Sequence, residues 1–270
     1  MSGPEISAGF LSHSERGNPD AHLDDPAAPG TAWTQGNRVG PLIHGDTYYQ
    51  RLGDELSALC PGDSVYFADW RGDRDELLRA GGPTVGDLLA SSAQRGVDVR
   101  GLIWRSHPEM FAFSEGSNRR LEENVNRHGG EVLLDQRMLP FGSHHQKLLI
   151  VHRTLPARHD VALVGEIDLC RRRRDDSNRR GDSQAQSMDR RYGPHPPGHD
   201  IRLEIQGPAV AQLELCFRQR WEDPAPLDDR NPWRALRAHV SGESRRPTPF
   251  GGPIMVPPAV GAHHVQVLRA

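Results

Sequence analysis

The feature that most constrains this chain is an alternation of short apolar runs with apolar residues at helical spacing, sustained from Tyr48 to Trp221. Tyr48, Tyr49, Leu52, Leu56 and Leu59 share one helical face, and the run Val65, Tyr66, Phe67, Ala68 follows, ending in Asp69-Trp70. Val85, Leu88, Leu89 and Ala93 repeat the helical spacing ahead of a strand-like run over 97–104. Leu121 and Val125 mark a third helix before the run 132–134. Two neighbouring strands are predicted at 147–152 and 161–165, joined by a loop that contains Pro156. A strand over 201–205 and a helix opened by Pro208, with Val210, Leu213 and Phe217 on one face, complete the pattern. Strands alternating with helices predict an α/β fold, a mixed β-sheet sandwiched by helices.

At 270 residues the chain has room for one large domain or two small ones. Residues 1–36, rich in Gly, Pro, Asp and Ser, read as an N-terminal extension. Residues 37–223 form the folded unit, and 224–270 read as a Pro- and Gly-rich tail with little to pack, or as the start of a further half. No apolar run approaches the ~20 residues of a membrane helix, and the first residues lack a signal-peptide pattern. The expectation is a cytoplasmic protein, with Cys60, Cys170 and Cys216 as reduced core thiols. The formal charge of -3 argues against an obligatory nucleic-acid partner. The arginine-rich stretch 171–198 has two open readings. It is either a solvated loop or a cationic rim that attracts a phosphate-bearing substrate.

Chemistry concentrates at Gly142-Ser143-His144-His145-Gln146-Lys147, which opens into an apolar strand. Alternate residues of a strand share a face, so His145 and Lys147 point one way and Gln146 the other. An imidazole beside an ammonium suits attack on phosphorus, the ring as nucleophile or acid and the ammonium against the phosphate oxygens. Lys147 is also the only lysine among 33 basic residues. A metal site from His144, His145 and His152 lacks HExxH, Cys or close carboxylates, so no metal is expected. A Ser143-His144 hydrolase is excluded by the opposed faces and the missing nucleophile elbow. Strand ends favour sites in such sheets, which singles out Asp69, Trp70, Arg105 and His107 as substrate-pocket residues.

The segment Ser143-His144-His145-Gln146-Lys147, followed by Val164-Gly165-Glu166-Ile167-Asp168-Leu169-Cys170, resembles the first catalytic motif of the phospholipase D superfamily. Phe67-Ala68-Asp69-Trp70-Arg71-Gly72-Asp73, Trp104-Arg105-Ser106-His107 and His199-Asp200 before Gly207-Pro208 extend the resemblance over about residues 33–223. The resemblance implies one half of a phospholipase D-like fold and a phosphodiesterase that uses no cofactor. In that reading His145 attacks phosphorus to give a phosphohistidine, Lys147 clamps the phosphate oxygens, and His144, Asp168, His199 and Asp200 line the substrate site. The implied substrate is the phosphodiester of a phospholipid, met at a transient membrane surface.

The chain departs from the family pattern at several points. His152 stands where the motif has aspartate, and Asp160 on the neighbouring strand is the expected substitute, with Asp168 behind it. Glu166 replaces the second glycine of the usual Gly-Gly pair. A second His-X-Lys is missing, so the other motif is expected from a further C-terminal half or from a homodimer. Two other functions remain open on these residues: a dimeric single-motif nuclease, and a catalytically incomplete fragment.

Overall fold

A computed structural model describes residues 10–11, 15, 32–106, 114–138, 142–155, 157–182, 184, 198–225, 227 and 246–268. Its elements are β1 (Thr34–Ile43), α1 (Gly45–Ser57), β2 (Ser64–Asp69), α2 (Val85–Gln94), β3 (Asp98–Trp104) and α3 (Glu115–Arg127). They continue through β4 (Glu131–Asp135), β5 (Leu148–His152), β6 (Val161–Gly165), β7 (Ile201–Gln206), α4 (Ala209–Trp221) and β8 (His263–Val265). The eight strands form one mixed sheet in the order β4-β3-β2-β5-β6-β7-β1-β8. β2, β3 and β4 run parallel, and every pairing from β2 through β5 to β8 is antiparallel.

Period-two alternation divides the core between two faces. Val65, Phe67, Leu149, Val151, Val161 and Leu163 join Tyr49, Leu52, Leu89, Leu121 and Val125 of α1, α2 and α3. Tyr66, Ala68, Leu148, Ile150 and Ala162 join Val210, Leu213, Phe217 and Trp221 of α4 on the other face. Thr84 and Asp87 close a reciprocal capping box at the start of α2, which fixes where that helix begins. The α/β sandwich expected from the sequence is therefore present.

β1 was not expected. Its sequence TQGNRVGPLI carries two glycines and Pro41, which mask a strand pattern, yet it pairs with β7 along Arg38–Ile43 and with β8. Beyond Pro224, Phe250 packs edge-on against Tyr66 and Phe217, so this segment does contribute to the α4-side core. None of the three cysteines is in a disulfide, but only Cys170 is buried; Cys60 and Cys216 are half-buried rather than core.

This topology brings one end of every strand from β4 to β1 to a single sheet edge. The C-terminal ends of β1, β2, β3, β4 and β6 lie there beside the N-terminal ends of β5 and β7. α1 is pressed against that edge. A Cβ on Gly45 would lie 1.6 Å from the Arg173 carbonyl oxygen, so only glycine allows the helix to start there. Its neighbour His44 holds a φ of 71°, a strained value for a residue with a side chain.

Candidate active site

β5 starts the site. Its first residues continue Lys147, whose side chain is 1% exposed, and the ammonium lies 2.8 Å from Nε2 of His145 and 3.2 Å from Nδ1. The His145 ring, by contrast, is 56% exposed. The register of β5 with β6 carries Gly165 alongside Lys147, so Glu166 and Asp168 follow directly beneath. Glu166 Oε2 stands 3.5 Å from the Lys147 ammonium and 3.8 Å from His145 Nδ1. Asp168 Oδ1 stands 3.7 Å from the same ammonium, while Oδ2 accepts a 2.8 Å bond from Arg173. A buried ammonium is thus neutralised from two sides, as burial of a charge requires.

β2 supplies the opposite wall. Asp69 ends the strand buried beside Asp168, and Trp70 turns its ring edge-on to His145 at 5.8 Å between centroids. Trp70 stacks on Trp104 at 5.5 Å, and its indole N–H is buried without an acceptor. Below them Arg202 of β7 is fully buried, donating to the carbonyls of Leu163 and Ile167 and lying 4.5 Å over the Tyr48 ring. Sequence reading did not single out Arg202, Arg173 or Tyr48. β7 reads Ile-Arg-Leu-Glu-Ile-Gln, an alternation that assigns Arg202 to the polar face, yet Ile201 and Leu203 are the exposed residues and Arg202 is buried, so no local signal marked it.

The structure therefore joins Asp69, Trp70, His145, Lys147 and Asp168. Arg105 lies on the same edge past β3, where its amide donates to the Asp135 carbonyl and its guanidinium approaches Glu115 at 3.9 Å. His199 and Asp200 precede β7, with His199 Nδ1 3.1 Å from His44 Nδ1 and Asp200 accepting from the Ile201 amide. His107 lies outside the described residues. His144 faces the α4 side with Gln146, away from His145. There burial, helped by the Arg220 charge, holds its imidazole down to about 4, so it stays neutral.

Asp160 does not reach His145. The β5–β6 register sets it at the far sheet edge, five residues or ~17 Å along β5 from Lys147. It accepts a 2.8 Å bond from His152 Nδ1, and Glu214 flanks Nε2 at 3.2 Å. Burial opposes charge on His152, but the two carboxylates outweigh it and hold the imidazole up at about 9. A pKa raised from 6.5 in the unfolded chain means the stabilisation is complete below pH 6.5 and vanishes as pH rises through 9. Urea denaturation should show the stability falling by on the order of 2–3 kcal/mol across that window. His152→Gln should flatten the fall, and an equal slope in both proteins would contradict this account.

Among the described residues of the arginine run, most side chains find partners, while Arg190 and Arg191 lie outside the described residues. Arg171 reaches Asp75, Arg173 Asp168, Arg174 the Leu77 carbonyl, Arg179 Asp175 and Arg180 Asp176. These arginines pin the loop after β6 to the chain's own acids. No group of three or more metal-ligating side chains occurs among the described residues, and no described helix is long and apolar enough to cross a membrane.

Comparison with known proteins matches the phospholipase D family pattern to residues 64–237, more than half of the chain. Phospholipase D alpha 1 of Ricinus communis is 25% identical over 290 residues, covering 93% of this chain and 35% of that protein. Phospholipase D alpha 2 of Oryza sativa subsp. japonica is 28% identical over 252 residues, covering 75% and 30%. A polyphosphate kinase from Porphyromonas gingivalis superposes with a TM-score of 0.43 at 15% identity, covering 76% of this chain and 30% of that one. The chain spans about a third of the length of the curated relatives it matches. With the family pattern running from β2 through the His145–Lys147 pair to beyond α4, the chain belongs to the phospholipase D family.

Proposed function

We propose that this chain is a phospholipase D-type half-site that cleaves the phosphodiester of a phospholipid through a phosphohistidine on His145. The carrying observation is the exposed His145 ring set against the buried, doubly neutralised ammonium of Lys147. A ring nitrogen of His145 attacks phosphorus, forming a P–N bond as the P–O bond to the headgroup alcohol breaks. The Lys147 ammonium stabilises charge on the non-bridging oxygens, where a compact cation fits better than a planar fork. The departing alkoxide takes its proton from a second histidine. This chain has one His-X-Lys, so that group comes from a second copy or from further sequence. Water then attacks phosphorus, breaking the P–N bond; an alcohol in place of water transfers the phosphatidyl group instead.

The names of the curated relatives support a lipid substrate. The pairing of the arginine run with the chain's own acids speaks against a nucleic-acid backbone as substrate. The test incubates the protein with dispersed phosphatidylcholine, with and without ethanol, and separately with plasmid DNA. Choline release, and phosphatidylethanol when ethanol is present, are the expected results. Plasmid cleavage with the lipid untouched would make it a nuclease, and no turnover of either would leave a catalytically incomplete unit.

A further inference from the structure

A cleft of about 320 Å³ opens at the sheet edge opposite the catalytic pair, at the lower end of the ~300–1,000 Å³ range of small-molecule sites. The β5–β6 connection, the turn after β7 at Gly207 and residues 255–260 ahead of β8 line it. Both long walls are held in place. The Thr154 amide and hydroxyl each donate to Asp63 at 2.8 Å, and the amides of Val260 and Gly261 donate to the Gly36 carbonyl at 2.8 and 3.1 Å. Pro257 and Pro258 fix their own φ and stiffen the second wall.

The lining is amphipathic. Leu155 and Met255 are 50% and 71% exposed, so the cleft presents apolar surface to water, and Val256 and the two prolines continue it. Charge is spread unevenly. Asp160 is already matched by the Arg153 amide at 2.8 Å and by His152 at 2.8 Å, whose imidazole its two carboxylates hold up at about 9. The Arg153 guanidinium is committed to Glu55 and Asp63. Arg158 differs. Among the described residues it pairs with no carboxylate, and its one side-chain bond is a 2.8 Å donation to the Ala58 carbonyl, at the C-terminal end of α1. A carbonyl offers only partial charge, so this guanidinium stays a positive charge in excess beside the exposed His159.

We propose that this cleft is a second binding site, which takes a small organic monocarboxylate with its apolar body on Leu155 and Met255 and its carboxylate on the Arg158 guanidinium. The planar fork of arginine matches a carboxylate at two atoms. An exposed ion pair alone contributes little in water, so the apolar wall and the charge must act on one molecule. The site lies five residues along β5 from Lys147 and does not depend on the diester reading.

Octanoate is the probe, with acetate as the head without the body and octyltrimethylammonium as the body with the opposite charge. Protein labelled with 13C-methyl methionine reports where the probe sits, the Met255 signal being assigned from Met255→Leu. Octanoate should move that resonance to saturation at one site, with a Kd on the order of 0.1–1 mM by calorimetry. Acetate should bind at least ~10-fold more weakly, and octyltrimethylammonium should leave the resonance in place. Arg158→Gln keeps a donor for the Ala58 carbonyl but removes the charge, and should weaken octanoate by about 10-fold or more. Arg158→Lys restores the charge without the fork and should recover about 3-fold of that loss.

A Met255 methyl unmoved by ~10 mM octanoate would overturn the proposal. So would equal octanoate affinity in Arg158→Gln and the parent. An octyltrimethylammonium shift at Met255 as large as that of octanoate would do the same, because it would mark a merely apolar surface. If Arg158→Gln does not fold, as a thermal melt would reveal, the parent's Met255 shift with the three compounds decides alone.

Discussion

In His145→Asn, cleavage of bis(para-nitrophenyl) phosphate is expected to fall by on the order of 10⁴-fold or more, the scale seen when a covalent nucleophile is removed. That substrate isolates the first chemical step. Its nitrophenolate leaves without a proton, so the second histidine that a phospholipid alkoxide needs is not required. The substitution should leave stability almost unchanged, because the His145 ring is 56% exposed and Lys147 keeps its carboxylate partners Glu166 and Asp168 without it. Rapid quench with 32P-labelled diester and acid- and base-stability of the trapped label would show a phosphoramidate in the parent. Turnover in His145→Asn within 10-fold of the parent, with the melt unchanged, would remove His145 from the chemistry.

Arg202→Leu carries the largest expected loss of stability, about 3–5 kcal/mol by urea denaturation. Leucine fills part of the volume but donates nothing. The carbonyls of Leu163 and Ile167, bonded at 3.0, 3.0 and 2.6 Å, then lie orphaned in the core. Arg202→Lys should rescue little, since one ammonium cannot span two carbonyls and stack over Tyr48 as the planar fork does. Losing a third or more of a typical domain's 5–15 kcal/mol would place the variant near unfolding at 37 °C. An unchanged urea midpoint would show that Arg202 is not structural and would redirect attention to its charge beneath Asp69.

Much of the site was legible because strand geometry is local. Period-two alternation alone put His145 and Lys147 on one face, and the structure keeps them within 2.8 Å. His144 was placed with the substrate-facing residues by the family resemblance, yet the same alternation turns it to the α4 side. Asp160 is the sequence's expected substitute for the motif aspartate, whose place His152 takes. Antiparallel register settles the matter differently. Residues facing each other across β5 and β6 have numbers that sum to a constant, as Leu148 with Val164 and Val151 with Val161 show. That sum sends Asp160 to His152 and Gly165 to Lys147. The information was in the sequence once both strand limits were fixed. β1 was not legible, since Pro41 and its glycines read as loop, and only pairing with β7 and β8 on both sides makes it a strand.

By itself the sequence determined the α/β class, the family, and a lone lysine beside a histidine, because each is written in residues close together along the chain. Only the tertiary structure decided what lies beneath that pair. Asp69, Lys147, Asp168 and Arg202 come from four separate strand ends, and no local period relates them. Their contact follows from the strand order β2-β5-β6-β7, which sets those ends side by side at one sheet edge. Away from water there, burial and the neighbouring Asp168 push the Asp69 carboxyl well above the usual carboxylate range.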